Sequence, residues 1–322
     1  MEMNKILNNA IKNDCQGYAF YFRLNDNEIK KVNGCLKEEG SEKVDFDTHF
    51  RLASVTKQFI ARGIIELIIQ EKIKLDSCVL DIFDTLPSYF KKIYIKNLLN
   101  HTSGIFDYET IPHKDDDPQI KDQNILTFLE NTKGTYFEPG TEYRYSNTGY
   151  ILLGLIIEKE SNMKIDEFLN EYVFKKAHIT NTIVNYQGKT NISKRAYGHI
   201  LENGKLIVKD QYWCSATIGD GGIYSTVNDL NKWIDFLLKD SNKLMFHPNV
   251  LPNGQNTEYG LGMRIIKYKN EEIYYHCGDT IGTNTIILFS KHIRLIFLTN
   301  LGNIDTAIIK DNLLKYLEEI GY

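Results

Sequence analysis

The sequence predicts an α+β fold: one antiparallel sheet made from both ends of the 322-residue chain, with a mostly helical stretch inserted between them. Three observations carry this. Residues 17–34 read as two strands joined by a turn. Residues 259–300 read as four consecutive strands with tight turns. Between them, the long apolar runs recur at helical spacing.

Residues 2–12 form a short amphipathic helix in this reading. "GYAFYFRL" (17–24) and "EIKKVNG" (28–34) are strands around a turn at Asn25-Asp26-Asn27. From 54 to about 72, Phe59, Ile60, Ile64, Ile65, Leu67, Ile68 and Ile69 cover more than one side of a helix, which predicts its burial. Residues 76–255 are mainly helix and loop. "IKNLLNHTSGI" is a short helix stopped at Ser103-Gly104, with the glycine as C-cap. "GYILLGLIIEKE" (149–160) and "DLNKWIDFLLK" (229–239) are further helices. Thr226 and Asp229 fit a capping box for the second, after a tight turn at Gly219, Gly221 and Gly222. "YGLGMRIIKY", "EEIYYHC", "TNTIILFS" and "IRLIFLTN" supply the four strands, with turns at Lys269-Asn270 and Lys291-His292. A helix over about 303–320 ends the chain.

Composition narrows the function. With 42% hydrophobic and 25% charged residues the chain is of the globular class, and a net charge of −4 offers no field to draw in nucleic acid. The acidic run Asp115–Asp117 reads as a solvated loop. Cys15, Cys35, Cys78, Cys214 and Cys277 are odd in number, widely spaced and without a CxxC, so they read as free core residues in a reducing compartment. The N-terminus lacks a signal peptide's apolar stretch, and no run is long enough to span a membrane. The chain as it stands is therefore expected in the cytoplasm. Eight scattered histidines without HxxxH or HExxH give no metal site, and no cofactor is expected.

The chemistry begins in "FRLASVTKQF". Ser54 and Lys57 are three apart at the mouth of the apolar helix, so they share a face. At a helix N-terminus the free N–H groups and the dipole favour an alkoxide on Ser54 and disfavour an ammonium on Lys57. Burial lowers a lysine pKa further, and a neutral amine can take the serine proton. Serine is also a common N-cap, so this pair alone identifies nothing. Its company does. "YRYSNTGY" places the Tyr145 phenol and the Asn147 amide two apart before a helix, although Ser146 or Asn147 could simply cap it. "HCGDT" puts His276 and Gly278 at a strand end, where glycine allows close approach to the strand edge and the Asp279 N–H can donate to an oxyanion. His276 there can bind a substrate carboxylate or stabilise the Tyr145–Lys57 pair.

Together these segments resemble the class C β-lactamase and penicillin-binding serine hydrolase family: SxxK, then YxN, then [KH]xG, in that order. "IKNLLNHTSGI", "EPGTEYRYSNTGYILLGLIIE" and "GDGGIYSTVNDLNKW" resemble the connecting signatures, over about residues 45–300. The resemblance implies a β-lactamase/DD-peptidase-like fold, with a five-stranded antiparallel sheet flanked by helices and a mostly helical subdomain. Residues 1–322 then form one catalytic domain, with an α/β part over 1–80 and 256–322 and the helical part over 81–255. It implies that Ser54 is acylated, that Lys57 and Tyr145 share general base and acid duty in an order left open, and that Asn147 orients substrate. It places the oxyanion hole at the N–H groups of Ser54 and Asp279.

The sequence departs from the β-lactamases proper at His276, where they usually carry lysine, and at Asp279, often serine, threonine or another small residue. A partly charged histidine anchors a β-lactam carboxylate poorly. The Asp279 carboxylate either faces the site and repels anions, or turns away to Arg264 or Arg294. The expected substrate is a small-molecule ester, D-amino-acid amide or peptide, ranked above a β-lactam. The alternative is a penicillin- or peptidoglycan-fragment-binding protein that acylates without efficient turnover.

Overall fold

The computed structural model describes residues 2–38, 40–114 and 116–322; Asp115 of the acidic run lies outside them, and Asp116 and Asp117 are exposed. The chain opens with α1 (Glu2–Ile6) and the hairpin β1 (Tyr18–Leu24) and β2 (Asn27–Asn33). A short β3 (Phe50–Arg51) leads through a tight turn at Ala53–Val55 into α2 (Thr56–Ile69). The middle carries α3 (Val79–Ile82), α4 (Ile95–Leu99), α5 (Asp122–Glu130), α6 (Asn147–Ser161) and α7 (Ile165–Leu169). The short strands β4 (Ile183–Val184), β5 (His199–Glu202), β6 (Lys205–Val208) and β7 (Ile223–Ser225) precede α8 (Val227–Lys239). The end of the chain is β8 (Arg264–Tyr268), β9 (Glu271–Thr280), β10 (Thr283–Phe289), β11 (Ile293–Thr299) and α9 (Ala307–Glu319).

The main sheet has the order β2-β1-β11-β10-β9-β8, antiparallel throughout. It holds six strands rather than five, and they are the six that the alternating segments mark. The two chain ends meet within it as its second and third strands, where Phe20 pairs with Phe297. Side chains of a strand alternate between faces, and here both faces are apolar. Phe20, Phe22, Ile286, Leu288, Leu295 and Phe297 pack with Ile309, Leu313 and Leu317 of α9. Ala19, Tyr21, Ile287, Phe289, Ile296 and Leu298 belong to the larger core around α2, α6 and α8.

Helix α2 is the axis of that core. Phe59, Ile60, Ile64, Ile65 and Leu67 are fully buried, each contributing about 1.5–3 kcal/mol by leaving water. Phe59 stacks on Trp233 of α8 with centroids 4.4 Å apart, and the Trp233 indole N–H donates to Gln58 Oε1 at 3.0 Å.

Several boundaries differ from the sequence expectation. The N-terminal helix stops at Ile6 and the last one starts at Ala307. Helix α4 ends at Leu99 with Asn100 as its C-cap; His101 then takes a φ of +61°, and Gly104, at +68°, turns the loop beyond rather than capping the helix. The strand expected from Tyr259 starts at Arg264, because residues 259–264 make a tight turn in which Tyr259 bridges to Arg264 and Gly262 packs against the start of α2. The middle also carries the strands β4–β7, read as loop. The Thr226 side chain accepts from the Asp229 N–H, but the Asp229 carboxylate accepts from the Asn181 N–H and the Thr182 hydroxyl, so only half of the capping box forms. All five cysteines are free, and Cys15 is exposed rather than a core residue.

Candidate active site

The helix expected from Ser54 begins two residues later. Ser54 sits in the tight turn Ala53–Val55, and the N-cap of α2 is Val55, which makes no side-chain cap bond. The Ser54 hydroxyl is therefore not spent on capping. Ala53 has a φ of +46°, a costly conformation for a residue with a Cβ, where the chain turns from β3 toward α2.

One turn on, Lys57 is fully buried. Its Nζ lies 3.1 Å from Ser54 Oγ, 2.8 Å from Asn147 Oδ1 and 2.9 Å from the Asp220 carbonyl oxygen. As an ammonium, Lys57 donates to all three. As a neutral amine it keeps two donations, to the two carbonyl oxygens that can only accept, and turns its lone pair to the Ser54 O–H. Only the serine contact can reverse, so a proton can pass along it while the other two bonds stay in place.

Asn147 is the first residue of α6. Ser146, extended at φ −139° and ψ 119°, caps that helix by accepting from the Gly149 N–H. The cap thus falls to Ser146, which leaves the Asn147 side chain to partners outside the helix. Asn147 Nδ2 donates to Glu109 Oε1 at 2.9 Å, and its N–H donates to Asp107 Oδ2 at 2.8 Å. An amide nitrogen on a carboxylate leaves the amide oxygen for Lys57, so the sense of the Asn147 side chain is fixed. Burial pushes the carboxyls of Asp107 and Glu109 above their usual range.

Tyr145 is held by its ring faces. Its centroid is 5.0 Å from Lys57 Nζ and 4.3 Å from the His101 ring, with the Arg264 guanidinium at 6.0 Å. Its hydroxyl is buried with no hydrogen-bond partner among the described residues. His101 Nδ1 accepts from the Ser146 N–H at 3.1 Å, which needs a neutral ring; burial, then Lys57, hold its pKa well below the usual value.

His276 does not serve as a carboxylate anchor. It is buried, with Nδ1 2.6 Å from the Cys277 carbonyl oxygen and Nε2 3.1 Å from the Tyr259 hydroxyl. The carbonyl only accepts, so Nδ1 carries the proton and Nε2 accepts from Tyr259. Burial, then the charge of Lys57, push its pKa down to about 3. It is a neutral group behind Tyr145, with ring centroids 6.1 Å apart.

Gly278 also has a structural reason to be glycine. A Cβ there would lie 2.2 Å from the Leu52 carbonyl oxygen and 2.3 Å from Thr285 Oγ1. The close approach that demands glycine is made by the chain itself, and it fixes β9 against the Ser54 turn. Asp279 is exposed and reaches the cleft with its main chain only. Alternation along β9 puts its side chain with that of Cys277 on the α9 face, beside residues 303–307, so the carboxylate turns away from the cleft and pairs with neither arginine. Asn284 Nδ2 donates to its carboxylate at 2.9 Å, while Arg294 pairs with Asp235. The two-residue turn Ile281-Gly282 makes Thr280 and Thr283 the first hydrogen-bonded pair of the hairpin. Alternation then turns the Asp279 N–H away from β10, toward the edge facing Ser54.

The cleft that Ser54 opens onto is small, enclosing about 40 Å³. Arg51, Tyr108, Glu109, Tyr212, Thr217 and Asp220 line it with Ser54, Asn147 and Asp279. The structure thus brings Lys57 onto Ser54 and Asn147 onto Lys57, sets Tyr145 beside Lys57, and packs His276 and Gly278 behind them. Sequence reasoning missed Asp107, Glu109, His101 and the Asp220 carbonyl. "HTSG" marks the chain near His101, but a main-chain acceptor leaves no residue-type signature. No cluster of metal-ligating side chains occurs among the described residues.

A family model described as Beta-lactamase matches residues 8–315. Penicillin-binding protein 4* of Bacillus subtilis (strain 168) is 32% identical over 294 residues, covering 81% of this chain and 63% of that protein. D-aminopeptidase of Gluconobacter oxydans (strain 621H) is 22% identical, with 86% of this chain and 54% of that protein covered. The chain thus spans between half and two thirds of these relatives. Among solved structures, a penicillin binding protein from Bacillus halodurans superposes with a TM-score of 0.81 at 22% identity, over 97% of this chain and 99% of that one. A D-amino acid amidase from Ochrobactrum anthropi SV3 gives 0.80 at 24%, over 99% and 97%. The fold is shared with both, and the chain belongs to the beta-lactamase family.

Proposed function

We propose that this chain is an acyl-serine hydrolase, acting on small amides or esters whose acyl part is neutral or cationic, with D-amino-acid amides or peptides the leading class. One observation carries the reading: a buried Lys57 amine 3.1 Å from Ser54 Oγ whose other two partners accept only. Neutral Lys57 takes the Ser54 proton as Oγ bonds to the substrate carbonyl carbon. The carbonyl oxygen becomes an oxyanion facing the Ser54 and Asp279 N–H groups. The bond to the leaving amine or alcohol then breaks, and the proton returns to that group through Lys57 or Tyr145. Water repeats the sequence on the acyl-enzyme, releasing the acid and restoring Ser54.

The substrate class follows from charge. Glu109 and Asp220 bring two carboxylates to the cleft against the one guanidinium of Arg51, whose Nε and Nη2 are taken by the Gly221 and Ser215 carbonyl oxygens, and neutral His276 supplies no further cation for a carboxylate. This ranks β-lactams and other anionic substrates lower. The D-aminopeptidase and the D-amino acid amidase to which the chain is similar agree with that order.

The test is labelling with a fluorophosphonate and a fluorescent penicillin, read as a mass adduct on Ser54, beside steady-state product release from p-nitrophenyl esters and D-amino-acid amides. An adduct with turnover is expected. An adduct without product release identifies a protein that only acylates. The absence of any adduct, with Ser54→Ala as active as wild type, removes the proposal.

A further inference from the structure

We infer that Asp122, outside the catalytic cleft, is a positioning residue that holds the Asp220 carbonyl on Lys57. The inference rests on the acyl-serine reading above. Asp122 is the first residue of α5, and its carboxylate spans two consecutive main-chain N–H groups of another segment. Ile218 donates to Oδ1 at 2.8 Å and Gly219 donates to Oδ2 at 3.1 Å. The next residue is Asp220, whose carbonyl accepts from Lys57 at 2.9 Å and whose carboxylate accepts from the Tyr108 hydroxyl at 2.9 Å.

From the other side the segment is wedged against α6. A Cβ on Gly219 would lie 2.5 Å from the Tyr150 carbonyl oxygen and 2.7 Å from Ile151 Cα. The 218–220 backbone is thus clamped between the Asp122 carboxylate and α6, and the clamp ends in one of the three acceptors around the catalytic amine. Helix α5 does not need this carboxylate for its own start, because the Asn124 side chain accepts from the Lys121 N–H there.

The carboxylate is costly to keep. Burial pushes the Asp122 carboxyl up to about 7, with Asp220 and Glu158 acting in the same direction, while the two N–H groups pull it back. Part of the residue borders a separate cavity of about 200 Å³ with Glu158, Tyr186 and Lys189. An apolar residue would avoid the cost but would strand two N–H groups behind the active site.

Asp122→Asn tests this. The amide keeps the shape, but its nitrogen meets one of the two loop N–H groups as a second donor. Ser54 labelling by a fluorophosphonate and kcat for a p-nitrophenyl ester are expected to fall together by about tenfold to a hundredfold, with KM within about twofold of wild type. The smaller Asp122→Ser, whose hydroxyl can accept from one N–H, serves if the amide variant does not fold. A folded variant that labels at the wild-type rate overturns the inference. So does a rise in KM at unchanged kcat, which would mean the loop shapes the acyl pocket and leaves Lys57 alone. A wild type that takes no label at Ser54 fails earlier: it overturns the acyl-serine reading, and this one with it.

Discussion

Lys57 is a buried amine with three oxygen neighbours and, among the described residues, no salt-bridge partner. Replacing it with methionine keeps much of the volume and removes the proton acceptor. Lys57→Met should lower kcat by about 10²–10⁴-fold in an ester assay, with circular dichroism unchanged. His276 makes a prediction about stability. Its pKa is about 3 in the fold against about 6.5 for a free histidine, so below 6.5 the unfolded chain takes the proton first. Its stabilising contribution is complete above about pH 6.5 and is lost as the pH falls toward 3. Urea midpoints should drop between pH 6.5 and 4, and His276→Gln should flatten that slope. The spacing of Ser54 and Lys57 was legible because one turn of helix is a local rule. The state of His276 was not, because Tyr259 and the burial around it come from elsewhere.

Helix α2 and strand β9 have to meet for the site to exist. Phe59 lies between Trp233 of α8 and Phe174, so Phe59→Ala should destabilise the fold by about 3–5 kcal/mol in urea titration. Gly278→Ala acts on the other element. Its methyl would collide with the Leu52 carbonyl and Thr285, so β9 must move away from the Ser54 turn. Labelling of Ser54 should then be lost even where the variant stays folded, because the Asp279 N–H moves with the strand. Apolar periodicity located both elements. It carried no information on what touches Gly278, since a glycine in a strand looks the same whether a ligand or the chain itself fills the space.

Across the whole molecule, the sheet is closed by pairing β1 with β11, and the apolar pattern at both chain ends pointed to that. Removing residues 1–34 would expose the edge of β11 and strip Phe20 and Phe22 from the core beneath α9. That shortened chain should give little soluble protein, and its amides in β10 and β11 should exchange far faster than those of the full chain. The sixth strand, β2, is a polar, largely exposed edge, which suits the end of a sheet.

The sequence by itself determined the six strands of the main sheet, the long helices α2, α6 and α8, the family, and the pairing of Ser54 with Lys57, because each rests on periodicity, on motif order or on neighbours within one turn. Only the tertiary structure decided that His276 is neutral, that Gly278 serves the chain's own packing, and that Asp107, Glu109 and the Asp220 carbonyl complete the site. Those facts depend on burial and on main-chain groups brought together from distant segments, and neither is written in the identity of any single residue.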